Sequence, residues 1–133
     1  MSTALQLRFL VVDDNEDIRD VFCRLVERAG HLASTAGDGQ EAVAILENES
    51  FDVMLLDLTM PRMNGVDVVR WLRARPDVAP AMKIVVISAW AGEHRAVLQE
   101  LGIETVMQKP LRIQQLTDLI TQTLLDLESG NRP

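Results

Sequence analysis

Residues 9–17 read FLVVDDNED: an unbroken apolar run, Phe9 to Val12, drives into two adjacent carboxylates, Asp13 and Asp14. A strand with one wet face alternates apolar and polar positions. A uniform run of this kind belongs instead to a strand covered on both faces, as in a parallel sheet. VMLL (53–56) and IVVI (84–87) have the same character, while LASTA (32–36) and TVMQ (105–108) are weaker runs expected as edge strands.

Helix-length segments separate these runs. EDIRDVFCRLVERAG sets Ile18, Val21, Phe22, Leu25, Val26 and Ala29 at helical spacing, with Gly30 as the C-terminal stop. GQEAVAILENE turns Ala42, Val43 and Leu46 inward, and NGVDVVRWLRARP forms a third helix that ends before Pro76. EHRAVLQELG is a short fourth, closed by Gly102. RIQQLTDLITQTLLDLE is a fifth, with Leu116, Leu119, Ile120, Thr123, Leu124 and Leu127 on one stripe. Strand and helix alternate five times, which predicts an α/β fold with a doubly wound parallel sheet and helices on both faces.

The 133 residues are 47% hydrophobic and 25% charged, an ordinary composition for one globular domain. A formal charge of −7 lacks the basic footprint that non-specific nucleic-acid binding needs. Cys23 is the sole cysteine, so no internal disulfide or thiolate metal cluster can form, and its helical neighbours mark it as a buried or half-buried bystander. MSTALQLRFLVV lacks the pattern of a signal peptide, and no apolar stretch approaches the ~18 residues of a membrane span. A soluble, cytoplasmic protein is expected.

Sites on such sheets form beyond the carboxyl ends of the strands, where strand order reverses. The first strand ends on Asp13 and Asp14, the third on Asp57, the fourth on Ser88 and the fifth on Lys109. Carboxylates ~5 Å apart at an effective dielectric of ~20 repel by about 3 kcal/mol per pair, and one lysine offsets only part of that. Either their pKa values rise or a cation joins them. Hard oxygen donors, incomplete without water, suit Mg²⁺, which favours phosphate company. That chemistry fits phosphoryl transfer onto a carboxylate, with Asp57 as nucleophile, Lys109 as a second positive clamp and Ser88 as a hydroxyl donor.

These segments resemble the receiver domain of bacterial response regulators: the DD pair at 13–14, LLDLTMPRMNG at 55–65, ISA at 87–89 and KP at 109–110. The resemblance implies a flavodoxin-like five-stranded sheet of order 2-1-3-4-5. It implies a receiver domain over residues 1–128, with SGNRP (129–133) a loose tail or the start of a linker. Asp57 would accept a phosphoryl group from the phosphohistidine of a sensor histidine kinase or phosphotransfer domain. Asp14, Asp57 and the backbone carbonyl of Thr59 would ligate Mg²⁺ directly, and Asp13 through water. Ser88 would move toward the phosphoryl group, Lys109 would pair with it, and the Lys109–Pro110 bond would be cis. Phosphorylation would change binding to a downstream protein or output domain, with no nucleic acid or membrane engaged by this domain itself.

Val106 stands where the family usually carries a Tyr or Phe that changes rotamer on activation, so activation is expected to travel through Ser88 and residues 89–93. Trp90 lies two residues past Ser88 and Trp71 on the third helix; both are read as partly buried packing, Trp90 also as a ring able to shield the site. His31 and His94 have no ligand-like company. A flavodoxin would need a Gly/Ser/Thr-rich phosphate cradle after the first strand, where DDNED would repel phosphate. A hydrolase forming an aspartyl phosphate wants a second acid at Thr59. A phosphorylation-independent interaction module, motivated by Val106, is the alternative reading.

Overall fold

The computed structural model describes residues 6–128, so MSTAL and the expected 129–133 tail lie outside the described residues. Five strands run through it: β1 (Arg8–Val12), β2 (Leu32–Ala36), β3 (Val53–Leu56), β4 (Lys83–Ser88) and β5 (Thr105–Gln108). They alternate with α1 (Glu16–Arg28), α2 (Gly39–Asn48), α3 (Gly65–Arg73), α4 (Arg95–Glu100) and α5 (Ile113–Glu128). Every pairing is parallel, in the order β2-β1-β3-β4-β5. The two weaker runs are the edges, and the direction in which successive strands are added reverses between β1 and β3. The inferred parallel topology and strand order are both correct.

Uniformly apolar strands follow from burial on both faces. Phe9, Val11, Leu55, Val85 and Ile87 pack with Phe22 and Val26 of α1 and with Leu116, Ile120 and Leu127 of α5. Leu10, Val12, Met54, Leu56 and Val86 face the other way, onto Leu46 of α2, Val69 and Leu72 of α3 and Leu98 of α4. Asn15, Asp38 and Asn64 open α1, α2 and α3, each side chain accepting the N–H of the residue three further on. Such caps contribute about 1 kcal/mol each. Gly30 and Gly102 take φ of +93° and +78° past the ends of α1 and α4, where a Cβ would be strained.

Two helices differ from their sequence reading. The fourth begins as a 3₁₀ turn, Ala91–His94, and continues as α-helix only over Arg95–Glu100, with no side-chain cap on either piece. Gly92 and the absent cap leave that first turn without support for α geometry. Val21 on α1 and Ala29, the residue that ends it, are exposed, because the core covers the face through Phe22 and Val26 with Ile18, Cys23 and Leu25 at its margin. Among the described residues, no helix is long and apolar enough to cross a membrane.

Candidate functional site

Register assembles the rim. Val12 lies beside Leu56, Leu56 beside Val86, and Ser88 beside Gln108, so Asp13, Asp57, Ser88 and Lys109 emerge side by side. The Asp57 N–H donates to the Val12 carbonyl at 2.9 Å, and the Lys109 N–H to the Ser88 carbonyl at 3.0 Å. Backbone bonds thus fix the roots of these side chains before any side-chain contact is made.

One oxygen from each of Asp13, Asp14 and Asp57 lies within 4.8 Å of the others. Asp13 and Asp57 are buried, at 2% and 5% exposure, while Asp14 is exposed to solvent. The Lys109 ammonium sits 2.6 Å from Asp13 Oδ2 and 3.6 Å from Asp57 Oδ2. Burial, and then the Asp13 charge, push the Asp57 carboxyl up to about 6, against the pull of Lys109. Three carboxylates against one ammonium leave an all-oxygen donor set short of positive charge, which fits a hard divalent cation such as Mg²⁺.

The other predicted residues take defined places. Ser88 is fully buried, and its Oγ accepts the Trp90 N–H at 3.1 Å. Thr59 is exposed, with its N–H 3.5 Å from Asp57 Oδ1. The Lys109–Pro110 bond is cis, as the resemblance implied. Gly65 admits no side chain, since a Cβ there would overlap the Asp57 carbonyl oxygen. Trp71 is half-buried beneath the Arg75 guanidinium, 4.6 Å from its ring centre. Trp90 departs from the packing role read for it and is 53% exposed. Val106 is half-buried against the core. Cys23 is half-buried, its thiol pushed up by burial and by Glu27, which makes it a poor nucleophile.

Sequence reasoning passed over three contributors. Arg19 of α1 donates to the Asp13 carbonyl at 2.7 Å and lies against Gly37, pinning the loop that carries both aspartates. Asp38 caps α2 and pairs with Arg62 of the loop after Asp57. The cap was legible as the D-x-x-E pattern of Asp38 and Glu41. Nothing in the sequence announces the partner across the sheet rim.

A five-stranded parallel sheet of this order, with an acidic cluster and a lysine beyond its carboxyl edge, defines a receiver-type signalling domain. The chain belongs to the response regulator receiver domain family, whose model matches residues 9–121. Such domains serve two-component systems through phosphorylation-dependent signalling. The chain is 34% identical over 116 residues to the sensory transduction protein RegX3 of Mycolicibacterium smegmatis, covering 86% of this chain and 49% of that protein. It is 33% identical over 130 residues to the sensory/regulatory protein RpfC of Xanthomonas campestris pv. campestris, covering 95% of this chain and 17% of that protein. The chain therefore spans half or less of the length of these relatives. Among solved structures it resembles a CheY-like response regulator receiver domain protein from Methanospirillum hungatei, with a TM-score of 0.83, 26% identity and coverage of 95% and 99% of the two chains. It also resembles the chemotaxis response regulator CheY4 of Vibrio cholerae, with a TM-score of 0.81, 26% identity and coverage of 90% and 99%.

Proposed function

We propose that Asp57 accepts a phosphoryl group from the phosphohistidine of a sensor histidine kinase or phosphotransfer domain, and that this switches the binding of a downstream partner or output domain. The observation that carries the reading is a buried carboxylate at a strand end with an ammonium 3.6 Å from its Oδ2. An Asp57 oxygen attacks phosphorus; a P–O bond forms, and the P–N bond breaks with its electron pair leaving on the imidazole. A carboxyl near 6 is mostly ionised at neutral pH, so the attacking form dominates.

The Lys109 ammonium, now shared between Asp13 and Asp57, meets the new charge on the phosphoryl oxygens. The Ser88 hydroxyl turns from the Trp90 N–H to donate to one of those oxygens, so its movement releases the backbone at the start of the β4–α4 segment. Asp13, Asp14, Asp57 and the Thr59 carbonyl are the groups that would hold Mg²⁺. When bound, that ion offsets the charge of the carboxylates and of the phosphoryl group. Residues 1–128 constitute the domain in this reading.

Incubation with acetyl phosphate and Mg²⁺ tests it by intact mass. A single Mg²⁺-dependent phosphate adduct is expected on the wild type and none on Asp57→Asn. Labelling of the Asn variant at the wild-type rate, or labelling indifferent to Mg²⁺, would overturn the assignment.

A further inference from the structure

The loop between Asp57 and α3 is gripped from outside as well as closed from within. Within it, the Gly65 N–H donates to the Leu58 carbonyl at 3.0 Å, and the Met63 N–H to the Pro61 carbonyl at 2.7 Å. The second bond spans Arg62, whose φ is +66°. A three-residue turn with positive φ at its centre is strained for any residue with a Cβ, and glycine would relieve it. Arginine stands there instead, and its side chain is occupied.

The Arg62 guanidinium forms an ion pair with Asp38 Oδ2, a carboxylate only 7% exposed. The other Asp38 oxygen accepts the Glu41 N–H at 2.8 Å, so the anion is anchored by α2 and does not follow a mobile side chain. Exposed ion pairs between two flexible partners contribute little, but here one partner is fixed and buried. One residue on, the Gly39 N–H donates to the Met63 carbonyl at 3.0 Å, and a Cβ on Gly39 would overlap that same oxygen. The β2–α2 turn thus holds the crown of the loop at two adjacent residues, Arg62 and Met63. The base of the loop carries Thr59, beside Asp57 Oδ1.

We infer that Asp38 and Arg62 are positioning residues for the Asp57 site: their ion pair keeps residues 59–63 in the strained turn that sets the Thr59 backbone against the acidic cluster. The inference rests on the phosphoacceptor and Mg²⁺ reading above. A glycine at 62 would relax the turn without the grip, whereas arginine accepts the strain and is held in it. The site's geometry is thereby tied to the β2–α2 turn at Asp38 and Gly39, which supplies none of the candidate ligands.

Three variants separate the contributions. Arg62→Gln keeps the length and the positive φ and loses the charge; Arg62→Lys keeps the charge; Arg62→Gly relieves the turn and loses the grip. Three quantities are read for each: the Mg²⁺ Kd from thermal-shift titration, the labelling rate with acetyl phosphate at saturating Mg²⁺, and exchange of the Gly39 amide in metal-free protein. Arg62→Gln and Arg62→Gly are expected to raise the Mg²⁺ Kd by about tenfold, the range seen when groups that orient metal ligands are removed. Both should also speed Gly39 exchange, and Arg62→Lys should restore most of the affinity. A wild type that binds and labels beside an unchanged Arg62→Gln would overturn the positioning role and leave the site reading intact. Faster Gly39 exchange with an unchanged Kd would also overturn it, because the pair would then hold the loop without setting the site. A wild type that neither binds Mg²⁺ nor labels would remove the site reading and this inference together.

Discussion

Replacing Asp57 with Asn should stabilise the metal-free protein above neutral pH, although it removes the central residue of the site. The Asp57 carboxyl is raised from 3.8 to about 6, chiefly by burial and next by the charge of Asp13. A carboxyl raised on folding binds its proton more tightly in the native state. Its contribution is therefore full below about pH 4 and is lost as pH rises through about 6. A rise from 3.8 to about 6, less what solvent screens, makes the ionised side chain unfavourable by about 1–3 kcal/mol at pH 8. Asn is nearly isosteric, carries no charge, and can still accept from the Thr59 N–H. The Asn variant should thus match the wild type near pH 4 and exceed it by about 1–3 kcal/mol at pH 8. Urea unfolding in EDTA across that range measures the difference, expected as a midpoint raised by about 1 M or more at the alkaline end. An Asn variant no more stable than wild type at pH 8, or a difference that does not change with pH, would refute the argument. So would Mg²⁺ stabilising the two proteins equally.

The remaining predictions concern other residues. Mg²⁺ should raise the wild-type melting temperature through about 1.4 kcal/mol when present at roughly ten times its Kd, and Asp14→Ala should abolish the gain; equal shifts in both proteins would exclude Asp14 as a ligand. His31 is buried with its Nδ1 accepting the Leu7 N–H at 3.1 Å, and burial lowers its pKa. Its contribution to stability is therefore present above about pH 6.5 and lost as pH falls below it. His31→Asn, which removes the titrating group, should flatten that acid limb in urea unfolding; parallel curves would count against it. In a Trp71→Phe background, the exposed Trp90 indole should change its fluorescence when a beryllofluoride mimic binds with Mg²⁺, since the backbone N–H of the same residue is bonded to Ser88 Oγ and would be released when that hydroxyl turns; a silent indole would count against movement of the backbone at Trp90.

Most of the fold was legible because parallel strands buried on both faces leave a signal that other structures do not. Phe9–Val12 and Val53–Leu56 have no polar position to assign to solvent, so the sheet had to be covered twice. Residues at strand ends then converge by register alone, which is why Asp13, Asp57, Ser88 and Lys109 could be grouped before any distance was known. Helical periodicity was less faithful at margins. Val21 lies on the same stripe as Phe22 yet beyond the reach of the sheet, and spacing does not report how wide the covering surface is. Arg62 and Arg19 escaped for a different reason. Arg62 acts through a partner 24 residues away and a backbone angle, and Arg19 through a backbone carbonyl six residues before it; neither leaves a period or a motif.

The same physical details indicate which part of the rim can move on phosphorylation. The Asp13–Asp57 side is held by the Arg19 bond, the Asp38–Arg62 pair and the close seat of Gly65, so it offers little freedom. Beyond Ser88 the constraints thin out. The Ala91–His94 turn and α4 have no side-chain cap, α4 has only six residues, and Trp90 projects into solvent. Helices this short contribute little stability of their own and depend on their packing, here chiefly Leu98. The Ser88 hydroxyl links the rim to this segment through the Trp90 N–H, and the Gln108 amide at the end of β5 donates to the Ala89 carbonyl at 2.5 Å. A β-branched valine at 106, in strand β5, is restricted at χ1 and has no ring to swing. If Ser88 turns to a phosphoryl oxygen as proposed, the segment left freest to respond is residues 89–94, and the partner surface that changes should lie there.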